Sequence, residues 1–129
     1  MQELNLVVER LRNKYNLHAV ILFGSRARGD WGPWSDYDIL VIADFESPYL
    51  KRIGELLELV SDISLPIEFH PYTLNEAVEL LRRGCPTIID ALEEGRVLFA
   101  TQKLKEIINM YEDMKRRGLR RTNTTIILP

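Results

Sequence analysis

Two aspartates separated by a single residue, Asp36 and Asp38, come just before the apolar run ILVIA. Strand side chains alternate, so both carboxylates point to the same side of a sheet. Carboxylates about 5 Å apart repel by about 3 kcal/mol at an effective dielectric constant of about 20, and by under about 1 kcal/mol in open water. Because the strand looks buried, a divalent cation is the natural counterion, and oxygen ligands favour Mg²⁺ or Mn²⁺ over zinc. Alternatively, Ser35 and Asp36 only form a turn before the strand.

A second group of residues that could bind a ligand, Gly24-Ser25, follows the apolar run AVILF. Glycine lets the backbone turn sharply and approach a ligand, while serine can begin a short helix whose amide hydrogens and hydroxyl group face a phosphate. Arg26 and Arg28 add positive charge for a triphosphate or a leaving pyrophosphate. An ordinary helix start explains Gly-Ser equally well.

The apolar periodicity predicts the elements that must position these groups. Amphipathic helices are expected over residues 3–15, 47–62, 73–83, 86–94 and 104–117, and strands over 18–23, 38–43, 67–71 and 96–99. The continuous apolarity of 38–43 is typical of an inner strand with both faces covered. If strands 18–23 and 38–43 pair antiparallel, the Gly24-Ser25 bend and the two aspartates meet at one rim of the sheet.

The bulk properties predict one domain. The 129 residues, 46% of them apolar, suffice for one core, which we expect over about 3–99, with a C-terminal helix and basic tail over 102–129. No apolar run of about 18 residues and no signal-peptide pattern is visible, so a cytoplasmic protein without a membrane span is expected. The single cysteine, Cys85, is expected to be a buried thiol without a role.

Charge is distributed unevenly along the chain. Residues 103–121 contain seven basic and three acidic residues, whereas the remainder contains ten basic and sixteen acidic ones. Such a basic segment, which continues into the sequence RRTNTT, suits a solvated helix end, although contact with nucleic acid or an acidic partner is the alternative. Its apolar stripe, which serves either core packing or partner docking, comprises Leu104, Ile107, Ile108 and Tyr111.

The combination of Gly-Ser, ten intervening residues and Asp-x-Asp, embedded in GSRARG and SDYDILV, resembles the minimal nucleotidyltransferases of the DNA polymerase β superfamily. The tight match covers about residues 19–43, and the element order agrees out to about residue 99. The resemblance implies an α+β (mixed α/β) fold with a mixed β-sheet of three to four strands covered by helices. It also implies nucleotidyl transfer from ATP or another nucleoside triphosphate, with a divalent metal and release of pyrophosphate.

By that resemblance, Gly24 and Ser25 would hold the β- and γ-phosphates, with Arg26, Arg28 and Ser35 also beside the nucleotide. Asp36 and Asp38 would be metal ligands. The family usually adds a third carboxylate, most often an aspartate, from a later strand. The candidate here is Glu68 in PIEFHPY, and its alternative is an ordinary exposed strand residue.

The residues around Glu68 follow the alternation of a strand. Ile67 and Phe69 are expected to face the core, and Glu68 and His70 to face outward. His70 is expected to be a surface histidine, with an aid to substrate binding as the alternative. Two tryptophans of the loop, Trp31 and Trp34, either stack on a base or pack the loop onto the body, and neither is assigned a role.

The hypothesis is that Asp36, Asp38 and Glu68 hold two Mg²⁺ ions and that an acceptor hydroxyl attacks the α-phosphorus. Small members of this kind are commonly paired with a HEPN-domain toxin, to which the antitoxin attaches AMP; the resemblance therefore implies a partner protein as acceptor and a hetero- or homo-oligomer. The alternative function is a non-catalytic module that keeps the fold and binds nucleotide, RNA or protein.

Overall fold

The computed structural model describes residues 2–122 and 125–129, so residues 123 and 124 of the basic RRTNTT segment lie outside the described residues. The elements, in chain order, are α1 (Gln2–Lys14), β1 (Leu17–Phe23), α2 (Ser25–Arg28), β2 (Tyr37–Ala43), α3 (Tyr49–Leu59), β3 (Ile67–Tyr72), α4 (Leu74–Arg82), α5 (Pro86–Glu94), β4 (Arg96–Ala100), α6 (Gln102–Arg116), β5 (Arg120–Arg121) and β6 (Ile126–Ile127).

The main sheet has the strand order β3-β2-β1-β4 within the part of the chain that is described. β1 pairs antiparallel with β2 and with β4, and β2 pairs parallel with β3. The predicted mixed sheet, with β2 as an inner strand and β4 at an edge, is confirmed. The end of β1 and the starts of β2 and β3 therefore meet at one rim, where Phe23 is opposite Asp38 and Asp38 is opposite Glu68.

Continuous apolar runs occupy residues 19–23 of β1 and 39–43 of β2, and helices cover both faces of the sheet there. On one face, Ile21 and Leu40 pack in a core with helices α4, α5 and α6. On the other face, Val20 and Ile39 pack in a core with α1 and α3. Alternate residues of each inner strand are buried on opposite faces of the sheet. Both sets are apolar, so the sequence shows a continuous apolar run instead of an alternation of apolar and polar residues.

Helix α4 begins with the predicted capping box. The Thr73 hydroxyl accepts a hydrogen bond from the Glu76 amide, and the Glu76 carboxylate accepts one from the Thr73 amide. Glu76 also pairs with Arg52 of α3, which is only 6% exposed and donates to the carbonyl oxygens of Ser47 and Pro71. This contact ties α3, β3 and α4 together below the rim.

The C-terminal part departs from the predictions in small ways. The short pair β5 and β6 was not predicted, because two-residue strands are too short to show a pattern in the sequence. The stripe of α6 packs into the core, with Leu104, Ile107 and Tyr111 buried, so core packing accounts for most of it. Cys85 is only partly buried, at the edge of the same core. Among the described residues, no helix has the length and apolar character needed to cross a membrane.

Candidate active site

Three side chains from two neighbouring strands converge at the rim of the sheet. Asp38 lies on β2, and Glu68 and His70 lie on β3. Potential ligand atoms of the three residues lie within 4.8 Å of one another, and within residues 2–122 and 125–129 they form the one group of at least three such donors. The parallel register causes this convergence, since it sets Asp38 directly beside Glu68. The predicted meeting of Asp38 and Glu68 is therefore present in the structure.

Gly24 closes the site on the side of β1. Its φ of 75° belongs to the left-handed region that favours glycine, and a Cβ atom at this position would lie 2.4 Å from Asp38 Oδ2. The backbone therefore reaches the carboxylate only because residue 24 has no side chain. Ser25 follows at once as the first residue of α2, and the Ala27 and Arg28 amides bond the Gly24 carbonyl oxygen. The sharp bend beside the aspartate agrees with the prediction from sequence.

The carboxyl group of Glu68 has an unusual environment. Burial raises its pKa above the ordinary value, and the adjacent Asp38 carboxylate raises it further; His70 acts in the opposite direction. The negative charge of Asp36 is a smaller contribution in the raising direction. Glu68 is exposed and Asp38 is partly buried, so the site brings two carboxyl groups together at the edge of the core, and a bound cation would relieve their repulsion.

His70 is half-buried, so the expectation of an ordinary surface histidine is wrong. Its Nε2 atom lies 3.2 Å from Asp38 Oδ1, and its ring lies against Phe23 with 5.0 Å between ring centroids. Glu68 and His70 do share a side of β3, as predicted; Glu68 is exposed there, as expected, whereas His70 is partly buried. The pairing of β2 with β3 brings His70 to Asp38, which the sequence does not show. The one sequence feature that could have indicated a role for His70 is that it lies two residues after Glu68 and therefore on the same side of the strand.

Asp36 lies just before β2 and is exposed. It stands outside the three-residue donor group but lines the same cleft, which has a volume of about 480 Å³. The other residues that line this cleft are Tyr49, Ile53, Leu57, Ile67, Glu68, Phe69, His70, Tyr72 and Thr87. A larger cavity of about 710 Å³ lies at the opposite end of β1 and β2 and contains none of the predicted site residues. We place the candidate site at the smaller cleft because two members of the donor group, Glu68 and His70, line it together with Asp36.

Arg26 organises the loop between β1 and β2. Its guanidinium group lies between two aromatic rings, 4.2 Å from the Trp31 centroid and 4.5 Å from the Tyr37 centroid. Its Nε atom donates to the Ser35 carbonyl oxygen at 3.2 Å, and the Ser35 hydroxyl accepts from the Gly32 amide at 3.0 Å. In this structure Arg26 and Ser35 therefore shape the loop, and their contact with a nucleotide stays a prediction.

Arg28 is also engaged within the chain. It donates to Glu94 of α5 at 2.8 Å and to Asp30 at 3.1 Å, and both hydrogen bonds raise the pKa of its guanidinium group. The side chain remains 43% exposed. A phosphate would therefore compete with two carboxylates for Arg28. The contacts of Arg28 with Asp30 and Glu94 were not predicted from the sequence.

Comparison with solved structures identifies the fold. A crystal structure of a toxin–antitoxin complex with AMP-PNP matches with a TM-score of 0.58 and 20% identity over 91% of this chain and 89% of that chain. A tri-AMPylated Shewanella oneidensis HEPN toxin in complex with its MNT antitoxin matches with a TM-score of 0.53 and 24% identity over 91% and 92% of the two chains. At these identities the likeness is one of fold.

Sequence comparison identifies relatives. The predicted protein adenylyltransferase MJ0604 of Methanocaldococcus jannaschii is 33% identical over 96 residues, which are 71% of this chain and 90% of that protein. The family model for the nucleotidyltransferase domain matches residues 4–98, a range that contains the whole main-sheet rim described above. The chain is thus an enzyme of the nucleotidyltransferase domain family.

Proposed function

We propose that this nucleotidyltransferase transfers AMP from ATP to a hydroxyl group of a partner protein, and that the partner is a HEPN-domain toxin. The name of the M. jannaschii relative, a protein adenylyltransferase, supports AMP transfer to protein. The structural neighbours from toxin–antitoxin complexes, one of them with an AMPylated HEPN toxin, support the partner class. The observation in this chain that carries the proposal is the meeting of Asp38 and Glu68 beside the Gly24-Ser25 bend.

The residues of the site fit a divalent metal. Two carboxylates and an imidazole supply donors within 4.8 Å. Burial first, and the neighbouring Asp38 second, raise the pKa of Glu68, and a cation beside the two carboxyl groups would oppose both effects. Asp38 and Glu68 would hold the ion, with Asp36 as a further ligand. A divalent ion bound there would offset the charge of the triphosphate and lower the pKa of the attacking hydroxyl group.

Other roles in the reaction, binding of the phosphates and removal of the proton, fall to side chains and backbone groups of the chain. The Gly24-Ser25 bend offers backbone amides and a hydroxyl group to the β- and γ-phosphates, and Arg28 offers positive charge to the pyrophosphate as it leaves. The acceptor oxygen attacks the α-phosphorus while the bond between the α-phosphorus and the bridging oxygen breaks. Glu68 is our candidate for the proton acceptor, because its carboxylate has two oxygens, one of which could hold the ion while the other takes the proton of the acceptor hydroxyl group.

The acceptor would enter through the cleft on the β3 side. The triphosphate is assigned to the Gly24 side of Asp38, so the opposite side remains for the hydroxyl group. Apolar residues of α3 line that side: Leu57 is 45% exposed, and Ile53 lies one helical turn before it. An apolar wall next to carboxylates suits a protein segment that carries a hydroxyl group, because the wall buries the segment while the carboxylates act on its oxygen.

The test is to label a lysate of the native host with the purified chain, using each nucleoside triphosphate in turn with the label at the α-phosphorus. Transfer of label from α-labelled ATP, but not from γ-labelled ATP, onto one protein would support AMP transfer and exclude kinase activity. Mass spectrometry of the labelled protein then identifies the acceptor and the modified side chain.

The matched variants are Asp38→Asn and Asp44→Asn. Each aspartate has an oxygen within hydrogen-bond distance of a histidine Nε2 atom, His70 for Asp38 and His18 for Asp44, but Asp44 lies at the opposite end of the sheet. We expect labelling to fall by at least about 100-fold in Asp38→Asn, as for loss of a central electrostatic group, and to stay unchanged in Asp44→Asn. Equal labelling by wild type and Asp38→Asn would refute the proposed site, and binding of ATP without any transfer would favour a non-catalytic module.

A further inference from the structure

We propose that His70 supplies a nitrogen ligand to the metal of this site, so that the ion is held by a mixed set of Asp38, Glu68 and His70 and the chain prefers Mn²⁺ to Mg²⁺. This inference rests on the proposed metal-dependent transfer and adds to it a ligand and a metal preference. A carboxylate-only site, which the sequence predicted, would have no nitrogen donor.

The fold holds His70 in place beside Asp38. Its side chain is 17% exposed and that of Asp38 is 25% exposed, so both are held at the edge of the core rather than free in solvent. Contact with the Phe23 ring restricts the imidazole, and its Nε2 atom faces Asp38 Oδ1 at 3.2 Å. A histidine held in this way loses little conformational entropy when it binds an ion.

The spacing of the donor atoms of His70 and Asp38 fits an octahedral ion. Adjacent ligands of an octahedral ion with bonds of about 2.1 Å lie about 3 Å apart. The separation of 3.2 Å between His70 Nε2 and Asp38 Oδ1 is close to that value. Glu68 lies beside Asp38 in the strand register and supplies the third donor within 4.8 Å. Three adjacent donors are thus available without a change in backbone conformation.

The donor type sets the metal preference. Mg²⁺ prefers oxygen ligands and keeps much of its water, whereas imidazole suits transition metals. Mn²⁺ accepts both donor types, so a set of two oxygens and one nitrogen favours Mn²⁺ over Mg²⁺. Replacement of His70 by glutamine should therefore reduce the affinity for Mn²⁺ more than the affinity for Mg²⁺.

The chain offers a matched control because its sequence contains two histidines, His18 and His70. His18 also contacts an aspartate, with its Nε2 atom 2.8 Å from Asp44 Oδ1. In that pair the second Asp44 oxygen accepts from Asn16, and the aspartate is 57% exposed. His18→Gln thus removes a histidine–aspartate contact of the same chemistry, away from the site.

The experiment is pulsed electron paramagnetic resonance of Mn²⁺ added to the metal-free protein, with and without α,β-methylene-ATP, together with calorimetric titration by Mn²⁺ and Mg²⁺. Wild type and His18→Gln should show the ¹⁴N coupling of a bound imidazole, and His70→Gln should lose it and bind Mn²⁺ about tenfold more weakly. Far-ultraviolet circular dichroism checks that each variant is folded.

Mn²⁺ bound without ¹⁴N coupling in wild type, or with unchanged coupling in His70→Gln, would overturn the assignment of His70 while leaving the proposed metal site intact. Equal loss of Mn²⁺ and Mg²⁺ affinity in His70→Gln would overturn the stated preference. Absence of metal binding both with and without the nucleotide analogue would overturn this inference together with the metal dependence of the proposed function.

Discussion

Asp38 and Glu68 are direct register partners in the parallel pair of β2 and β3, although 30 positions separate them in the chain. Their carboxyl groups are close enough for Asp38 to raise the pKa of Glu68, after the larger effect of burial. Two carboxyl groups this close repel each other when both are ionised, so their closeness is unfavourable in the absence of a cation. A role in binding a cation therefore explains the closeness of the two carboxyl groups better than a contribution to folding stability does.

The first prediction concerns Gly24. Gly24→Ala should weaken binding of Mn²⁺ and ATP by at least about tenfold, because the new Cβ would lie 2.4 Å from Asp38 Oδ2 and displace the carboxylate. Calorimetric titration measures this effect. Gly29→Ala is the control, since Gly29 also has a positive φ, 91°, but has nothing within 4 Å of an added Cβ. Both variants should lose about 1 kcal/mol of stability from backbone strain; equal binding by the two would contradict the prediction.

The second prediction concerns the contact between Arg28 and Glu94. If Arg28 binds the leaving phosphates, Glu94→Gln should remove one of its two competing carboxylates and raise the affinity for ATP about two- to fivefold, the equivalent of one exposed ion pair. Arg28→Gln should lower the affinity, and the exposed Arg82→Gln on α4 serves as a charge-matched control. Unchanged ATP affinity in both Arg28→Gln and Glu94→Gln would remove Arg28 from the nucleotide site.

The third prediction is a pH dependence of stability. The hydrogen bond from Arg52 lowers the pKa of Glu76 below its ordinary value of 4.5. A lowered carboxyl pKa in the folded state means stabilisation that is complete above pH 4.5 and is lost as the pH falls below that value. Glu76→Gln can keep the capping box, so its effect reports on the ion pair. We expect it to reduce the free energy of unfolding by about 1–2 kcal/mol near neutral pH, a value limited by the partial exposure of Glu76, and by less in acid, where the wild-type carboxylate is protonated.

Urea unfolding at several pH values measures this difference. Glu79→Gln is the control on the same helix, because Glu79 pairs with the exposed side chains of Arg82 and Arg83 and should contribute less than about 0.5 kcal/mol. A difference between wild type and Glu76→Gln that stays constant down to about pH 3 would refute the ion-pair explanation.

The fourth prediction separates the two loop tryptophans. Trp31 packs on Arg26, so Trp31→Ala should cost about 1 kcal/mol of stability. Trp34 is 91% exposed, and Trp34→Ala should change stability by less than about 0.5 kcal/mol. Urea unfolding followed by far-ultraviolet circular dichroism tests both. A large loss in Trp34→Ala would mean that the loop packs differently from the structure.

Much of the fold was predictable because its signals are local. The continuous apolar run 39–43 predicts an inner strand, and the Thr73 to Glu76 spacing predicts the start of α4; both predictions are confirmed. The meeting of the Gly24-Ser25 bend with Asp38 at one rim was expected on the condition that the two strands pair antiparallel, and the structure meets that condition.

The sequence by itself determined the types of the donors, the residues that bend the chain beside them and the periods that make strands and helices, since each of these depends on residues within a few positions. Only the tertiary structure decided which distant groups meet: His70 with Asp38, Arg28 with Glu94 and Arg26 with two aromatic rings. The physical reason is that alternation places a side chain on a face of its own strand, whereas its neighbours depend on the register and packing of elements far away in the chain.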